Sequence, residues 1–447
     1  TRRKGGMHYT SIENIHKVID PLFFTEYKNR FQDAMQEKQP KKRTEKLRAL
    51  QKELGRGKYF DPACGSGNFL TESYLSLRRL ENDILRETLM GESGTGVLGL
   101  DFGGSTEEDY VHVSIQQFYG IEINDFATSV AKTAMWIAES QMFRETEDII
   151  HKEMDFLPLH TNSNIREGNA LRMDWKEVLP PSDDVKILGN PPFVGYSLQS
   201  KEQKADMLAT YSDENGKPYK KAGKIDYVSG WYFKAAEYMN GTNVKTAFVS
   251  TNSITQGEQV ADIWEPLYHR FGIHIDFAYR TFRWDSESTQ KAHVHVVIVG
   301  FSADAKNPAN YASPSGGGGP AGVGESSAVT KFIDSGGVRK AAKNINPYLT
   351  DAPTIFIASR TKPLCDVPEM LNGGKPAEGG NLILTCEEKE ELLKKERQAA
   401  PFLRPFMMGK DFIDRKPRWC FWLVEANPSD LRKCHSLLGR IENVRKF

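Results

Sequence analysis

Cysteine is scarce in this chain. Five occur in 447 residues (Cys64, Cys365, Cys386, Cys420 and Cys434), none in a C-x-x-C pair, which is too sparse for a disulfide framework and points to a reducing, cytoplasmic setting. Long apolar runs are missing too. No stretch reaches the roughly 18 residues of a membrane helix, and Thr1-Arg2-Arg3-Lys4 is not followed by the apolar run of a signal peptide, so no membrane partner is expected. The abrupt basic start reads as a fragment or a domain cut from a longer chain. Excess charge of one sign is also absent: Lys plus Arg and Asp plus Glu are 59 each. That excludes a global positive field and leaves any nucleic-acid contact to local basic patches. At this length two or three domains with ample cores are expected.

The stretch around which the rest is organised is Gly189-Asn190-Pro191-Pro192-Phe193, after the apolar run Val185 to Leu188. A buried strand running into a tight turn is the reading. Two prolines remove two backbone donors, so the Asn190 amide oxygen and the Pro191 carbonyl can face one point beyond the strand end. That point suits an amino group with two hydrogens to donate, and Phe193 offers a flat apolar surface on which a base can stack. An ordinary strand-end turn with a packed phenylalanine fits the same five residues, and the rest of the chain decides between them.

Upstream, Lys58 to Leu70 spells a short strand, a glycine turn and a helix: Asp61-Pro62-Ala63-Cys64-Gly65-Ser66-Gly67-Asn68-Phe69. Gly65 and Gly67 let backbone approach a ligand at the strand's carboxyl end. Leu70 stands where a dinucleotide fingerprint needs its third glycine, which disfavours NAD, and Asp61 suits a cationic amine instead. Residues 91 to 114 read as a glycine-rich acidic insertion. Gln117 to Glu122 reads as the next strand, ending in an acid suited to ribose hydroxyls, with Ile123 able to cover an adenine face. The following helix carries Val130, Ala134, Ile137, Ala138 and Met142 on one expected core face. Asn164 to Glu167 reads as a third strand, with Asn169 at its end able to pair with an adenine edge.

Near the N-terminus, Ser11 is the expected cap of a helix from Ile12 to Tyr27, with Tyr9 and Thr10 just before it. Lys28 to Gly57 reads as a solvated helical hairpin. After the central turn, Gln199 to Lys224 is a polar, lysine-rich loop, Asp226 to Met239 a helix and Lys245 to Ser250 a strand. His274 to Tyr279 and His293 to Phe301 read as two more, joined by a loop Arg280 to Trp284 whose cationic and aromatic residues suit phosphate and base contact. His293 and His295 share a strand face without a third ligand, so no metal is expected. Residues 302–344 read as a flexible linker. Beyond it, Phe402 to Phe406 and Arg418 to Leu423 read as strands of a second module. Glu387-Glu388-Lys389 spells E-x-K inside a charged helical run, which we read as chance.

The ordered set G-x-H-Y-T, D-P-A-C-G-S-G-N-F, G-I-E, G-N-A and N-P-P-F resembles the γ-type amino-methyltransferases that form N6-methyladenine in DNA from S-adenosyl-L-methionine, over residues 6 to about 301. With Asn346-Pro347-Tyr348, Val367 to Met370, Gly379 to Leu382 and Arg418-Trp419-Cys420, it is similar to single-chain Type IIG/IIL restriction-modification enzymes, in which a target recognition domain follows the methylase. The resemblance implies an α/β, Rossmann-like fold of the class I S-adenosylmethionine-dependent methyltransferases. Its sheet is expected to have seven mostly parallel strands with the last antiparallel, followed by an α+β target recognition module. The implied domains are an N-terminal helical segment 1–57 with a cofactor motif, a catalytic domain 58–301, the linker 302–344 and a partial recognition domain 345–447.

By the same resemblance, Tyr9 and Thr10 hold the methionine end of the cofactor, and Asp61, Ala63, Gly65 and Gly67 surround its amine and sugar. Glu122 binds the ribose, Ile123 and Ala170 cover the adenine, and Asn169 meets its amino edge in place of the usual aspartate. Asn190, Pro191, Pro192 and Phe193 are the implied catalytic residues, and Phe282 or Trp284 is the second base-stacking face. The expected partner is double-stranded DNA with a flipped target base. No P-D…E-x-K nuclease motif precedes residue 6, so a nuclease module is expected only elsewhere in a longer chain. N-P-P-[FY] chemistry also serves N4 of cytosine in DNA, N2 of guanine in RNA and protein glutamine, and a non-catalytic DNA-binding subunit of a defence complex is a further alternative. No Pro-Cys dipeptide of the cytosine-C5 enzymes occurs.

Overall fold

The computed structural model describes residues 10–93, 110–151, 164–284, 294–303, 331–360, 365–367, 376–424 and 426–447. The chain forms two units, Thr1–Ser359 and Arg360–Phe447.

In the first unit, helices α1 (Ile12–Ile19), α2 (Thr25–Met35) and α3 (Pro40–Leu54) precede strand β1 (Lys58–Asp61). A π-helical turn, Asp20–Phe24, joins the first two helices. There follow α4 (Asn68–Ser93), β2 (Phe118–Glu122), α5 (Asp125–Ile150), β3 (Ile165–Glu167), the one-turn α6 (Trp175–Val178), β4 (Val185–Gly189), α7 (Lys201–Thr210), α8 (Ser229–Met239), β5 (Lys245–Thr251), α9 (Gln259–Phe271), β6 (Ile273–Trp284), β7 (Val294–Ala303), β8 (Phe332–Ser335) and β9 (Val338–Ala341). The strands form one sheet in the order β3-β2-β1-β4-β5-β7-β6-β8-β9. Strands β1 to β5 pair in parallel, and β7 runs antiparallel between β5 and β6. The order reverses between β1 and β4, and at such a switch point open α/β sheets leave a crevice at the strands' carboxyl ends.

The central strands read as apolar runs because both sheet faces are covered. Ile187, Val297 and Val299 face one core with Trp231, Tyr232 and Trp264, while Leu188, Val249 and Ile298 face the other with Leu70, Tyr74 and Phe118. Helix α5 lies on the second face and buries Ala138 and Met142 as expected, but not Val130, Ala134 or Ile137. Its buried stripe is Ala127, Ala131, Met135, Ala138 and Met142, whereas Ile137 is 47% exposed. Close approach decides the phase: a Cβ on Gly67 would stand 3.0 Å from the Ala131 Cβ, so a small residue must face the glycine turn.

Three expectations need correction. Among the described residues the sheet has nine strands, because the hairpin β8–β9, placed in the linker 302–344, pairs with β6 through Phe277, Ala278 and Tyr279. Residues 304–330 of that stretch, and 94–109 of the expected insertion, lie outside the described residues. Ile345 and Leu349, expected to open the second module, are buried in the first unit's core, and Ile345 bridges Ile275, so the boundary falls after Ser359 instead of 344. Arg280 to Trp284 is not a connecting loop. It continues β6 past an irregularity between Tyr279 and Phe282, pairing Phe282 with Val296 and Arg283 with His295.

The second unit is a small α+β body. Strands β10 (Ile383–Leu384), β11 (Leu403–Phe406) and β12 (Arg418–Phe421) form an antiparallel sheet with β12 central. Helices α10 (Cys386–Lys395), α11 (Gly409–Ile413), α12 (Pro428–Leu431) and α13 (His435–Lys446) surround it. The core holds Leu384, Leu392, Leu403, Phe421 and Leu437. Glu388 of the E-x-K sequence serves a capping box with Thr385, and Lys389 sits 3.3 Å over the Trp419 ring, so these residues have structural employment.

A buried ion pair pins α4 to its neighbours. Glu81 accepts from Arg78, from the His112 and Val113 amides and from Gln51, while Arg78 reaches Thr146 on α5. Both ions are fully buried. Removing one partner of such a pair leaves an uncompensated buried charge. Glu81→Ala is expected to cost about 3 to 5 kcal/mol in urea unfolding; a wild-type midpoint would contradict the assignment.

Candidate active site

Strand β1 ends at Asp61, which is 1% exposed. Its Oδ1 accepts the Ala63 N–H at 2.9 Å, which closes the turn that begins at Pro62. Burial pushes the Asp61 carboxyl up to about 8, opposed by the Ala63 N–H and reinforced by Glu122. A cation beside it would favour the ionised form. Past the turn, Gly65 (φ 55°) and Gly67 (φ 83°) adopt left-handed backbone conformations. Among the described residues, a Cβ on Gly65 would meet nothing within 4 Å. The Gly65 N–H donates to Glu122 Oε2, and Asn124 N–H to Glu122 Oε1, both at 2.9 Å. The carboxylate at the end of β2 is thereby aimed across the glycine turn. Ile123, next in the chain, is 68% exposed beside it.

Strand β4 lies next to β1 and ends at Gly189 (φ 150°). A Cβ on Gly189 would stand 2.4 Å from Asp61 Oδ1. The Asp61 carboxylate therefore occupies the place of a side chain at 189, and the cluster on β1 and the turn after β4 meet at one point. Asn190 follows directly. Its Oδ1 is buried and has no hydrogen-bond partner among the described residues. Pro191 is buried, Pro192 and Phe193 are half-buried, and Phe193 packs against both cores. Most buried acceptors are satisfied, so an orphan oxygen at a strand end needs a donor from elsewhere.

In the turn after β3, Asn169 is bonded within the chain on both sides of its amide. Its Oδ1 accepts the Leu171 N–H and its Nδ2 donates to Asp206 Oδ2, both at 3.0 Å. The amide oxygen proposed for an adenine edge already has a partner in the chain, and the acid at this turn comes from α7. Ala170 is buried, and its carbonyl accepts from Trp175 Nε1. Thr10 is 3% exposed, directly before α1, which packs on β4, β5 and β7. Ser11 occupies the N-cap position without a side-chain capping bond. Tyr9 and the side chain of Trp284 lie outside the described residues. Phe282 is partly buried against the second core, with Lys17 Nζ 5.6 Å above its ring.

Two acids went unnoticed as site residues in the sequence. Asp206, 7% exposed, gathers Asn169, Arg172 Nε at 2.6 Å and the Tyr227 hydroxyl at 3.3 Å. Asp226, also 7% exposed, accepts from Tyr196 N–H and Ser253 Oγ. Their partners are 20 or more positions away in sequence, and the only local signal was an Asp just before a helix at 226.

Two family models cover these elements. That of the MmeI DNA-methyltransferase domain matches residues 35–312, and that of the MmeI target recognition domain matches residues 351–447. The chain is 41% identical over 446 residues to DNA methyltransferase A of Bacillus subtilis (strain 168), covering 98% of this chain and 45% of that protein. A putative type II restriction enzyme and methyltransferase of Methanocaldococcus jannaschii is 27% identical over 128 residues, 28% of this chain and 9% of that protein. Among solved structures, that of the Type IIL restriction-modification enzyme MmeI in complex with DNA superposes with a TM-score of 0.79 at 37% identity, over 98% of this chain and 54% of that one. The chain thus spans about half the length of the Bacillus protein and of the solved MmeI chain. With the first family model lying over the sheet and its strand-end cluster and the second over the smaller unit, the chain belongs to the MmeI family, carrying its DNA-methyltransferase domain followed by its target recognition domain.

Proposed function

We propose that this chain transfers a methyl group from S-adenosyl-L-methionine to N6 of an adenine turned out of duplex DNA, within a restriction-modification system. The observation that carries the reading is the buried, unpartnered Oδ1 of Asn190 beside a glycine that abuts Asp61. The order of β1 to β7 supports the class I methyltransferase reading, and β8–β9 extends that sheet. The MmeI relative is a restriction-modification enzyme, which motivates the wider setting; a nuclease module in a longer protein is part of this proposal.

The residues fit the cofactor. Asp61 offers a carboxylate to an ammonium group, Gly65 leaves open space at the turn, Glu122 presents oxygens to ribose hydroxyls, and Ile123 exposes an apolar face for adenine. We assign Tyr9, Thr10, Ala63, Gly67, Asn169 and Ala170 to the same site. Asn169 acts there through its turn and its Asp206 partner. When bound, S-adenosyl-L-methionine supplies an electrophilic sulfonium methyl.

The chain's own residues do the rest by positioning. An exocyclic amine is a weak nucleophile because its lone pair is delocalised into the ring. Asn190 Oδ1 and the Pro191 carbonyl accept its two hydrogens and free that lone pair, while Phe193 stacks on the base. Phe282 or Trp284 provides the second face. Extrusion of the base brings the target atom to the strand ends.

Asn190→Ala in the full-length protein is expected to lower methyl transfer to DNA by more than about 10²-fold while S-adenosyl-L-methionine still binds. Retained turnover would refute the role. Digesting wild-type product DNA to nucleosides is expected to yield N6-methyladenine, and N4-methylcytosine would overturn the choice of base.

Asp61 titrates near 8 in the free protein. A cationic amine bonded to the ionised form lowers that pKa in the complex. Binding then releases a proton below about pH 8, and affinity for S-adenosyl-L-methionine falls as pH falls, approaching about tenfold per unit at the acidic end. Calorimetric titration from about pH 7.5 to about pH 6 checks this. A flat profile in the wild type contradicts it, and Asp61→Asn is expected to bind weakly with no such slope.

A further inference from the structure

The segment leaving Phe193 is bonded on both sides of Gly195 to one dipeptide. The Tyr227 N–H donates to the Val194 carbonyl at 2.9 Å, and the Tyr196 N–H donates to Asp226 Oδ1 at 3.0 Å. Asp226 Oδ2 accepts the hydroxyl of Ser253, from the turn after β5, and the Ser253 hydroxyl also lies 2.8 Å from Thr251 Oγ1. The Asp226 backbone is itself fixed, its N–H by Gln259 Oε1 at 2.9 Å and its carbonyl by Ser229. Among the described residues this buried carboxylate forms no salt bridge and is met by neutral donors. Burying a carboxylate with only neutral donors around it costs stability.

The same dipeptide reaches the other side of the site. The Tyr227 hydroxyl donates to Asp206 Oδ2, which also accepts from Asn169 at the end of β3. Burial, and then the Asp206 carboxylate, push that hydroxyl up to about 12, so it remains a donor at neutral pH. Tyr227 thus links the turn after β3, through its hydroxyl, to the backbone behind Phe193, through its N–H.

Building on the proposed methyl transfer, we infer that Asp226 is a positioning residue: its carboxylate ties the segment behind Asn190 and Phe193 to the turn after β5. It holds the base-gripping oxygens in line with the β1 strand end. It touches neither base nor cofactor. Its effect falls on turnover, since a displacement of about 1 Å in such a segment can cost about 10²-fold in rate.

The test uses the full-length protein with duplex DNA. Asp226→Ala is expected to lower kcat for methyl transfer by about 10²-fold, with the Kd for S-adenosyl-L-methionine unchanged within about threefold. Asp226→Asn is expected to restore most of the rate, because an amide can still accept from the Tyr196 N–H and can donate to the Ser253 hydroxyl. Ser253→Ala removes one arm only and is expected to give a smaller kcat loss with unaltered melting, which keeps the test open if Asp226→Ala misfolds. Unchanged kcat in Asp226→Ala, or in Ser253→Ala where Asp226→Ala misfolds, overturns the inference. So does loss of cofactor binding in both, or failure of Asp226→Asn to restore the rate. An active wild type with any of these outcomes overturns the positioning role alone. A wild type that transfers no methyl group overturns the proposed function and this role together.

Discussion

A carboxylate stands where a side chain would otherwise be. Asp61, at the end of β1, fills the volume that a Cβ on Gly189 would take, 2.4 Å from its Oδ1. Every other feature of the candidate site depends on that contact. It brings the glycine turn, with its open backbone and the Glu122 carboxylate, against the N-P-P-F turn, with its unpartnered amide oxygen. The parallel pairing of β1 with β4 supplies it, since both strands end on the same side of the sheet at the switch point.

The contact is not free of strain for the fold. Asp61 is buried with one backbone donor and no cation among the described residues, and burial lifts its carboxyl far above its ordinary range. Such a group is unfavourable to the empty protein and favourable to a complex that brings a positive charge. The Asn190 oxygen has the same character: costly to bury unpaired, useful when a donor arrives. Functional sites are where folds tolerate such groups. The buried charges of Arg78 and Glu81 are matched, and the contrast with Asp61 separates structure from chemistry within one domain.

Much of this was legible in the chain. The apolar runs ending in Asp61, Glu122 and Gly189 gave the strands and their order of use, and the glycines gave the turn. What escaped was set by distance. The hairpin at 332–341 looked like linker because it follows a glycine-rich stretch and has an exposed, charged outer strand, yet it pairs with β6. Part of the buried face of α5 was misplaced because apolarity favoured Ile137, whereas the close approach of Gly67 demanded Ala131. Asp206 and Asp226 were invisible because their partners lie far away in sequence. Asn169 was legible as a position, but its bonds to the Leu171 N–H and to Asp206 on another helix were not.

The proposed cofactor cluster and base-gripping turn are two sides of one site joined at Gly189. Gly189→Ala tests that junction with a single methyl group. If the two sides meet there, S-adenosyl-L-methionine affinity falls by at least about tenfold and methyl transfer to DNA by more than about 10²-fold in the same folded preparation, because the added Cβ displaces Asp61 and shifts Asn190 together. Wild-type affinity with wild-type turnover in that variant would contradict it.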